Sequence, residues 1–203
     1  ESFPVGSGVP QGSVLGPILF NLYISDLHMG LPFNGRYDIS AFADDIKLST
    51  TFDNNDTSYA SMFQDVISKF YDWTDRWQLK LSPSKCNIIH LGRNNPQHTY
   101  KLGTHSLGTT DSVRDLGIFV SKNLDNKINI DKRYVSAMRQ LSLLLRAITV
   151  KDPDILVRCY LTYVLPIVEF ASPVWNPYLK LESKKIEKVQ KFFTRIVFLR
   201  CFP

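Results

Sequence analysis

Two aspartates stand side by side in AFADDIKLS, residues 41–49, and their near neighbours Phe42, Ala43, Ile46 and Leu48 are apolar. Like charges this close repel, so a partly buried pair protonates or finds a cation. The cation suited to hard carboxylate oxygens is Mg²⁺, which completes its shell with water and phosphate oxygens. The plainer alternative is a hairpin turn that contains Asp-Asp because aspartate favours turns. A second stretch, VPQGSVLGP at 9–17, holds two Pro and two Gly before an apolar run with helical spacing. Gly12 has no Cβ, so something can lie against its backbone. Gln11 offers a donor and an acceptor in one short amide. Ser13 is placed to cap the helix that follows. Helix initiation is a sufficient reading of Gly16 and Pro17.

The elements that must position these residues follow from periodicity. The Gly/Pro loop, 6–17, feeds a helix over about 18–27. Alternation predicts two short buried strands, 37–43 and 46–51, joined at the Asp pair. Phe63, Val66, Ile67, Phe70, Trp73 and Trp77 recur at three- and four-residue steps, which predicts an amphipathic helix over 57–78. Trp73 and Trp77 fall on its apolar stripe and read as core, as do Phe192, Phe193 and Phe198 in the last helix. Short strands are expected at 86–92, 99–107 and 113–120. Helices follow at 127–147, 153–164, 167–175 (broken) and 181–199. The fold class is α+β.

Composition bounds the rest. The 203 residues are 44% hydrophobic, enough for one domain with a real core or one and a half small ones. No run of roughly 18 uncharged apolar residues exists to span a membrane. Cys86, Cys159 and Cys201 are far apart, which suits a reducing compartment and offers no disulfide framework. The four histidines pair with no cysteine at zinc spacing. The net charge of +5 hides a split: residues 1–121 sum to −3 and residues 122–203 to +8. Solvated helix faces rich in Lys would account for the basic half; so would a polyanionic partner.

The ordered series VPQGSVLGP, apolar helix, FADD, long helix, LKLSPSKCNIIHLG, VRDLGIFVS resembles the palm of reverse transcriptases. The nearest likeness is to non-LTR, LINE-type retrotransposon enzymes of the jockey-like kind. Group II intron maturases share the logic and rank second. The helical tail, with YLTYVLPIVEFASPVWNP and IEKVQKFFTRIV, resembles the thumb-containing region that follows the palm. The resemblance implies a partial palm at 1–121, an antiparallel sheet with packed helices, and a helical thumb-like region at 122–203.

Roles follow from the same resemblance. Asp44 is a metal ligand and catalytic, with Asp45 as its neighbour in the motif. Mg²⁺, with Mn²⁺ as its substitute, bridges the incoming triphosphate and the primer 3′ oxygen in two-metal nucleotidyl transfer. Phe42, where many relatives carry Tyr, lies under the primer terminus or nucleotide. Gln11 and Gly12 meet the templating base pair and the nucleotide. Lys85 is the catalytic lysine near the leaving pyrophosphate. Leu116 and Gly117 form the primer-grip turn. Lys184, Lys185, Lys188, Lys191 and Arg195 of the last helix suit nucleic-acid phosphates, and Lys184, Lys188, Lys191 and Arg195 share one face. The partners implied are an RNA template, a DNA primer, dNTPs and the rest of a parent polypeptide carrying the fingers and a further palm carboxylate upstream. The expected location is intracellular, nuclear and cytoplasmic for the parent element. The alternative is a non-catalytic nucleic-acid-binding or interaction remnant that keeps the basic tail.

Overall fold

The computed structural model describes residues 8, 12–31, 36–53, 56 and 58–202. It packs as two compact units, Glu1–Ile88 with Asn94–Thr109, and Ile89–Arg93 with Thr110–Pro203. Helices and small sheets are both present, as an α+β chain requires. Among the described residues the strands form four two-stranded sheets, three antiparallel and one parallel.

The first unit is built around one long helix. Helix α1 (Gly16–Tyr23) begins where Gly16 N–H donates to Ser13 Oγ at 2.9 Å, so Ser13 bonds near the helix start while Leu15, not Ser13, holds the cap position. It ends earlier than the apolar run predicts, because Ser25 Oγ donates to the Leu22 carbonyl at 2.7 Å and a turn follows. Strands β1 (Tyr37–Phe42) and β2 (Asp45–Thr50) make a hairpin. Helix α2 (Tyr59–Arg76) presents Phe63, Val66, Ile67, Phe70 and Trp73 to the core, the residues expected from their spacing. It stops in a Schellman turn: Gln78 takes φ 56°, and Leu79 N–H donates to the Thr74 carbonyl at 2.8 Å. Leu79 then packs on the core that α2 organises, and Trp77 is half-buried against it.

Tyr37, Ile39, Ile46 and Leu48 pack one face of the β1–β2 hairpin onto the α2 core. The other face is open: Asp38, Ser40, Phe42, Asp45, Lys47 and Ser49 are all exposed. The expectation of two buried strands is therefore corrected to a hairpin buried on one face, the ordinary arrangement for antiparallel strands. Beyond α2 lie β3 (Asn87–Ile88), the small hairpin β4 (Lys101–Leu102) with β5 (His105–Ser106), and β6 (Gly108–Thr109), which pairs in parallel with β3. Gln64 ties α2 to β4, accepting from Lys101 N–H at 2.8 Å and donating to the Lys101 carbonyl at 2.9 Å.

The second unit joins a hairpin, β7 (Ser112–Asp115) and β8 (Ile118–Ser121), to helices. Helix α3 (Lys127–Ala147) occupies the range its periodicity predicts. Helix α4 (Pro153–Tyr163) starts at Asp152, whose carboxylate accepts from the N–H groups of Asp154 and Ile155 at 2.9 and 3.4 Å. Two short helices follow, α5 (Leu165–Glu169) and α6 (Ser172–Trp175), and then the long α7 (Lys180–Cys201). Ala137, Leu141, Leu156, Val164, Val189 and Phe193 form the core of this unit. Phe193 is buried as expected, but Phe192 and Phe198 are not core: they are 38% and 63% exposed, because they sit off the Val189–Phe193–Val197 stripe. By packing the chain passes from the first unit to the second after Thr109, with Ile89–Arg93 also in the second.

Candidate active site

The Asp hairpin turns through two residues, Ala43 and Asp44, with Phe42 opposite Asp45 across the ladder. Asp44 is thus a turn residue and Asp45 the first residue of β2, so only one of the two carboxylates stands in the turn itself. Ala43 takes φ 52°, a left-handed conformation that costs a non-glycine residue on the order of 1 kcal/mol. Phe42 and Asp45 are cross-strand partners, which puts both side chains on the open face. Phe42 is 64% exposed. Asp44 and Asp45 are exposed and engage in no ion pair or side-chain hydrogen bond among the described residues.

Lys85 ends a 3₁₀ turn, Pro83–Lys85, directly before β3. Its N–H donates to the Ser82 carbonyl at 3.0 Å, and its side chain is exposed and unpaired among the described residues. It belongs to the same unit as the Asp hairpin, but no hydrogen bond or ion pair brings it to Asp44 or Asp45. Beside it, burial pushes the Cys86 thiol up from its ordinary pKa, away from the thiolate form. Gly12 takes φ 82° with open space where a Cβ would stand, which keeps its backbone approachable. Gln11 lies outside the described residues.

In the second unit, Leu116 and Gly117 are the two central residues of the β7–β8 turn, with φ 44° and 85°. Positive φ at both positions is the type I′ pattern that suits a two-residue hairpin. A Cβ on Gly117 would stand 3.3 Å from the Phe170 ring, so a helix-side aromatic already fills that space. The hairpin is fixed to α3 by Asn129, whose amide accepts from Phe119 N–H at 2.8 Å and donates to the Phe119 carbonyl at 2.7 Å. Arg133 donates to the Gly117 carbonyl at 3.2 Å. Sequence reasoning missed Asn129 and Arg133. The signal available was KINIDKRY, residues 127–134, polar and basic residues one helical turn apart, soon after the β hairpin.

Lys184, Lys188, Lys191 and Arg195 are all exposed on one face of α7, while Val189 and Phe193 are buried and Ile186 and Ile196 half-buried. Lys191 pairs with Glu187 at 3.1 Å, an exposed contact one helical turn apart that adds little. Lys185 points elsewhere and pairs with Asp131 at 2.5 Å.

A family model described as reverse transcriptase (RNA-dependent DNA polymerase) matches residues 1–120, from the Gly/Pro loop through the Asp hairpin to the β7–β8 turn. The chain belongs to the reverse transcriptase family. It is similar to the RNA-directed DNA polymerase from mobile element jockey of Drosophila melanogaster, 24% identical over 195 residues, 92% of this chain and 21% of that protein. The jockey polymerase of Drosophila funebris is also 24% identical over 195 residues, with the same coverage. The probable RNA-directed DNA polymerase from transposon X-element of Drosophila melanogaster is 25% identical over 199 residues, 95% of this chain and 22% of that protein. The chain spans about a fifth of the length of these relatives. No solved structure matches it significantly.

Reverse transcriptases use divalent metals. The donors here fit such an ion in kind: two hard carboxylates at one hairpin end, neither taken by a cation among the described residues. Among the described residues no group of three His, Cys, Asp or Glu side chains converges to hold a metal, so the donor set there is partial. No helix among them is long and apolar enough to cross a membrane.

Proposed function

We propose that this chain is the later palm and the thumb of an RNA-directed DNA polymerase from a non-LTR retrotransposon, catalytic as part of a longer polypeptide. The observation that carries the reading is the Asp hairpin: two carboxylates with no ion pair among the described residues, at the end of a two-stranded hairpin inside a segment matched by the reverse transcriptase model. Asp44 and Asp45 are the residues that would hold Mg²⁺, with Mn²⁺ as a substitute. Bound there, the metal would stabilise charge developing on phosphoryl oxygens during nucleotidyl transfer.

The remaining roles belong to the chain's own groups. Phe42 offers a flat apolar face beside Asp45 for a sugar or base. Gly12 gives a backbone that a base pair can approach, with Gln11 as its hydrogen-bonding neighbour. Lys85 supplies an ammonium for the departing pyrophosphate. Leu116 and Gly117 steady the primer, and the α7 face of Lys184, Lys188, Lys191 and Arg195 meets duplex phosphates. Template RNA, primer DNA and dNTPs are the substrates of the longer polypeptide.

Primer extension tests this reading. The full polypeptide should copy an RNA template into DNA with Mg²⁺ and stop when the metal is chelated. The 203-residue chain alone should give no product, since a partial donor set costs several powers of ten in rate. Template-dependent synthesis by the chain alone, lost in Asp44→Ala, would show that the described donors suffice and overturn the need for a further carboxylate.

A further inference from the structure

Helix α1 carries the Gly12 loop at its N-terminal end, yet most of its own side chains do not hold it in place. Within the helix only Gly16 is buried and Phe20 half-buried, while Ile18, Leu19 and Leu22 are exposed. One side chain ties it to another element. The Tyr23 hydroxyl donates to the Trp77 carbonyl, and the two rings meet edge to face with centroids 5.2 Å apart. Among the described residues this is the one side-chain hydrogen bond from α1 to another element.

The acceptor is well placed for that bond. Trp77 caps the C-terminus of α2, so its carbonyl is among those a helix leaves without an internal donor. The Schellman turn at Gln78 fixes the backbone there. The Trp77 ring lies 6.2 Å from the ring of Trp73, which is buried in the core. The tie therefore reaches the core through two tryptophans.

Tyr23 is the last residue of α1 and Gly16 the first, about 10 Å apart at the helical rise per residue. Beyond Tyr23 the chain turns at Ser25, and Leu27 and Leu31 are buried in the α2 core. Anchors on both sides of the turn give the rod a direction; the anchor after it alone would leave a pivot. A swing of about 10° at Tyr23 would carry Gly16 roughly 2 Å. The loop follows that movement, because Gly16 N–H is bonded to Ser13 Oγ and Gly12 is the next residue back. The Asp hairpin does not depend on the tie, since it is seated on the core by Tyr37, Ile39, Ile46 and Leu48.

We propose that Tyr23 is a positioning residue for nucleotide binding: its bond to the Trp77 carbonyl sets the direction in which α1 presents the Gly12 loop to the incoming nucleotide. Tyr23 acts through the loop and touches no substrate. The proposal rests on the polymerase reading above and adds a residue to it.

The experiment is steady-state primer extension by the full polypeptide, with saturating template-primer and varied dNTP. Tyr23→Phe keeps the ring and removes the hydroxyl. It should raise the KM for dNTP about fivefold with kcat within about twofold, the pattern of binding lost equally from ground and transition states. Tyr23→Ala removes the ring as well and should raise KM about twentyfold. Gln64→Ala cuts the tie between α2 and β4 in the same unit and controls for general loosening; its KM should stay within about twofold. An unchanged KM in Tyr23→Phe, an equal rise in Gln64→Ala, or a loss confined to kcat overturns the proposal and leaves the polymerase reading intact. No synthesis by the wild-type polypeptide overturns both.

Discussion

Asp44 and Asp45 are neighbours in sequence with different backbone duties, one turning the chain and one opening a strand. That difference was not legible from the residue string, which shows only two carboxylates among apolar neighbours. It follows from the register: Phe42 pairs with Asp45, so Ala43 and Asp44 make the turn. The second turn was legible only through the family resemblance: periodicity reads 113–120 as one strand, and the structure folds this stretch into a hairpin turning at Leu116 and Gly117. Gly117 carries two constraints at once, a φ of 85° and a ring 3.3 Å from where a Cβ would stand. Gly117→Ala should therefore cost about 1–2 kcal/mol of stability, through the left-handed backbone and the displacement of Phe170. Chemical denaturation of the wild-type and variant chains measures this, and an unchanged midpoint would mean that the turn relaxes freely.

At the scale of elements, long periodic helices were the most legible part. Helix α2 buries the residues that its three- and four-residue spacing selects, and α3 occupies its expected range. Short apolar segments were less so. Helix α1 stops at Tyr23 although the run continues, because Ser25 turns back on the Leu22 carbonyl. Leu15, Ile18, Leu19 and Leu22 stay exposed. Apolar spacing shows that a face wants cover, but not whether these residues provide it. One junction between elements was invisible in sequence and has a clear consequence. Arg200, near the end of α7, donates to the Ile148 carbonyl at 3.0 Å and the Leu145 carbonyl at 2.6 Å. These are carbonyls at the C-terminal end of α3, where the helix leaves acceptors unsatisfied and favours a cation. Arg200→Ala should destabilise the chain by about 2 kcal/mol, the scale of two charge-assisted bonds partly replaced by water. Arg200→Lys should restore part of it. A denaturation midpoint indifferent to both would place the junction's stability in the apolar core alone.

Across the whole molecule, charge and family are the coarse facts that the sequence carries best. The acidic first part holds the Asp hairpin, and the basic tail holds the exposed α7 stripe. If that stripe meets duplex phosphates, Lys184→Gln, Lys188→Gln and Lys191→Gln together should flatten the salt slope of duplex binding by roughly 2 to 3 units. The loss should be similar for all sequences, since phosphate contacts carry no sequence information. An unaltered slope would make the stripe an ordinary solvated face. The central claim, that the Asp hairpin serves nucleotidyl transfer and not folding, needs a measurement that separates chemistry from binding. Asp44→Asn keeps the side chain's size and removes its charge. In the full polypeptide, primer extension and template-primer affinity should be measured side by side. Synthesis is predicted to fall by several powers of ten while affinity stays within about threefold, because phosphate contacts elsewhere supply most of the binding. Undiminished synthesis by Asp44→Asn, or an equal loss of synthesis and binding, would contradict the account.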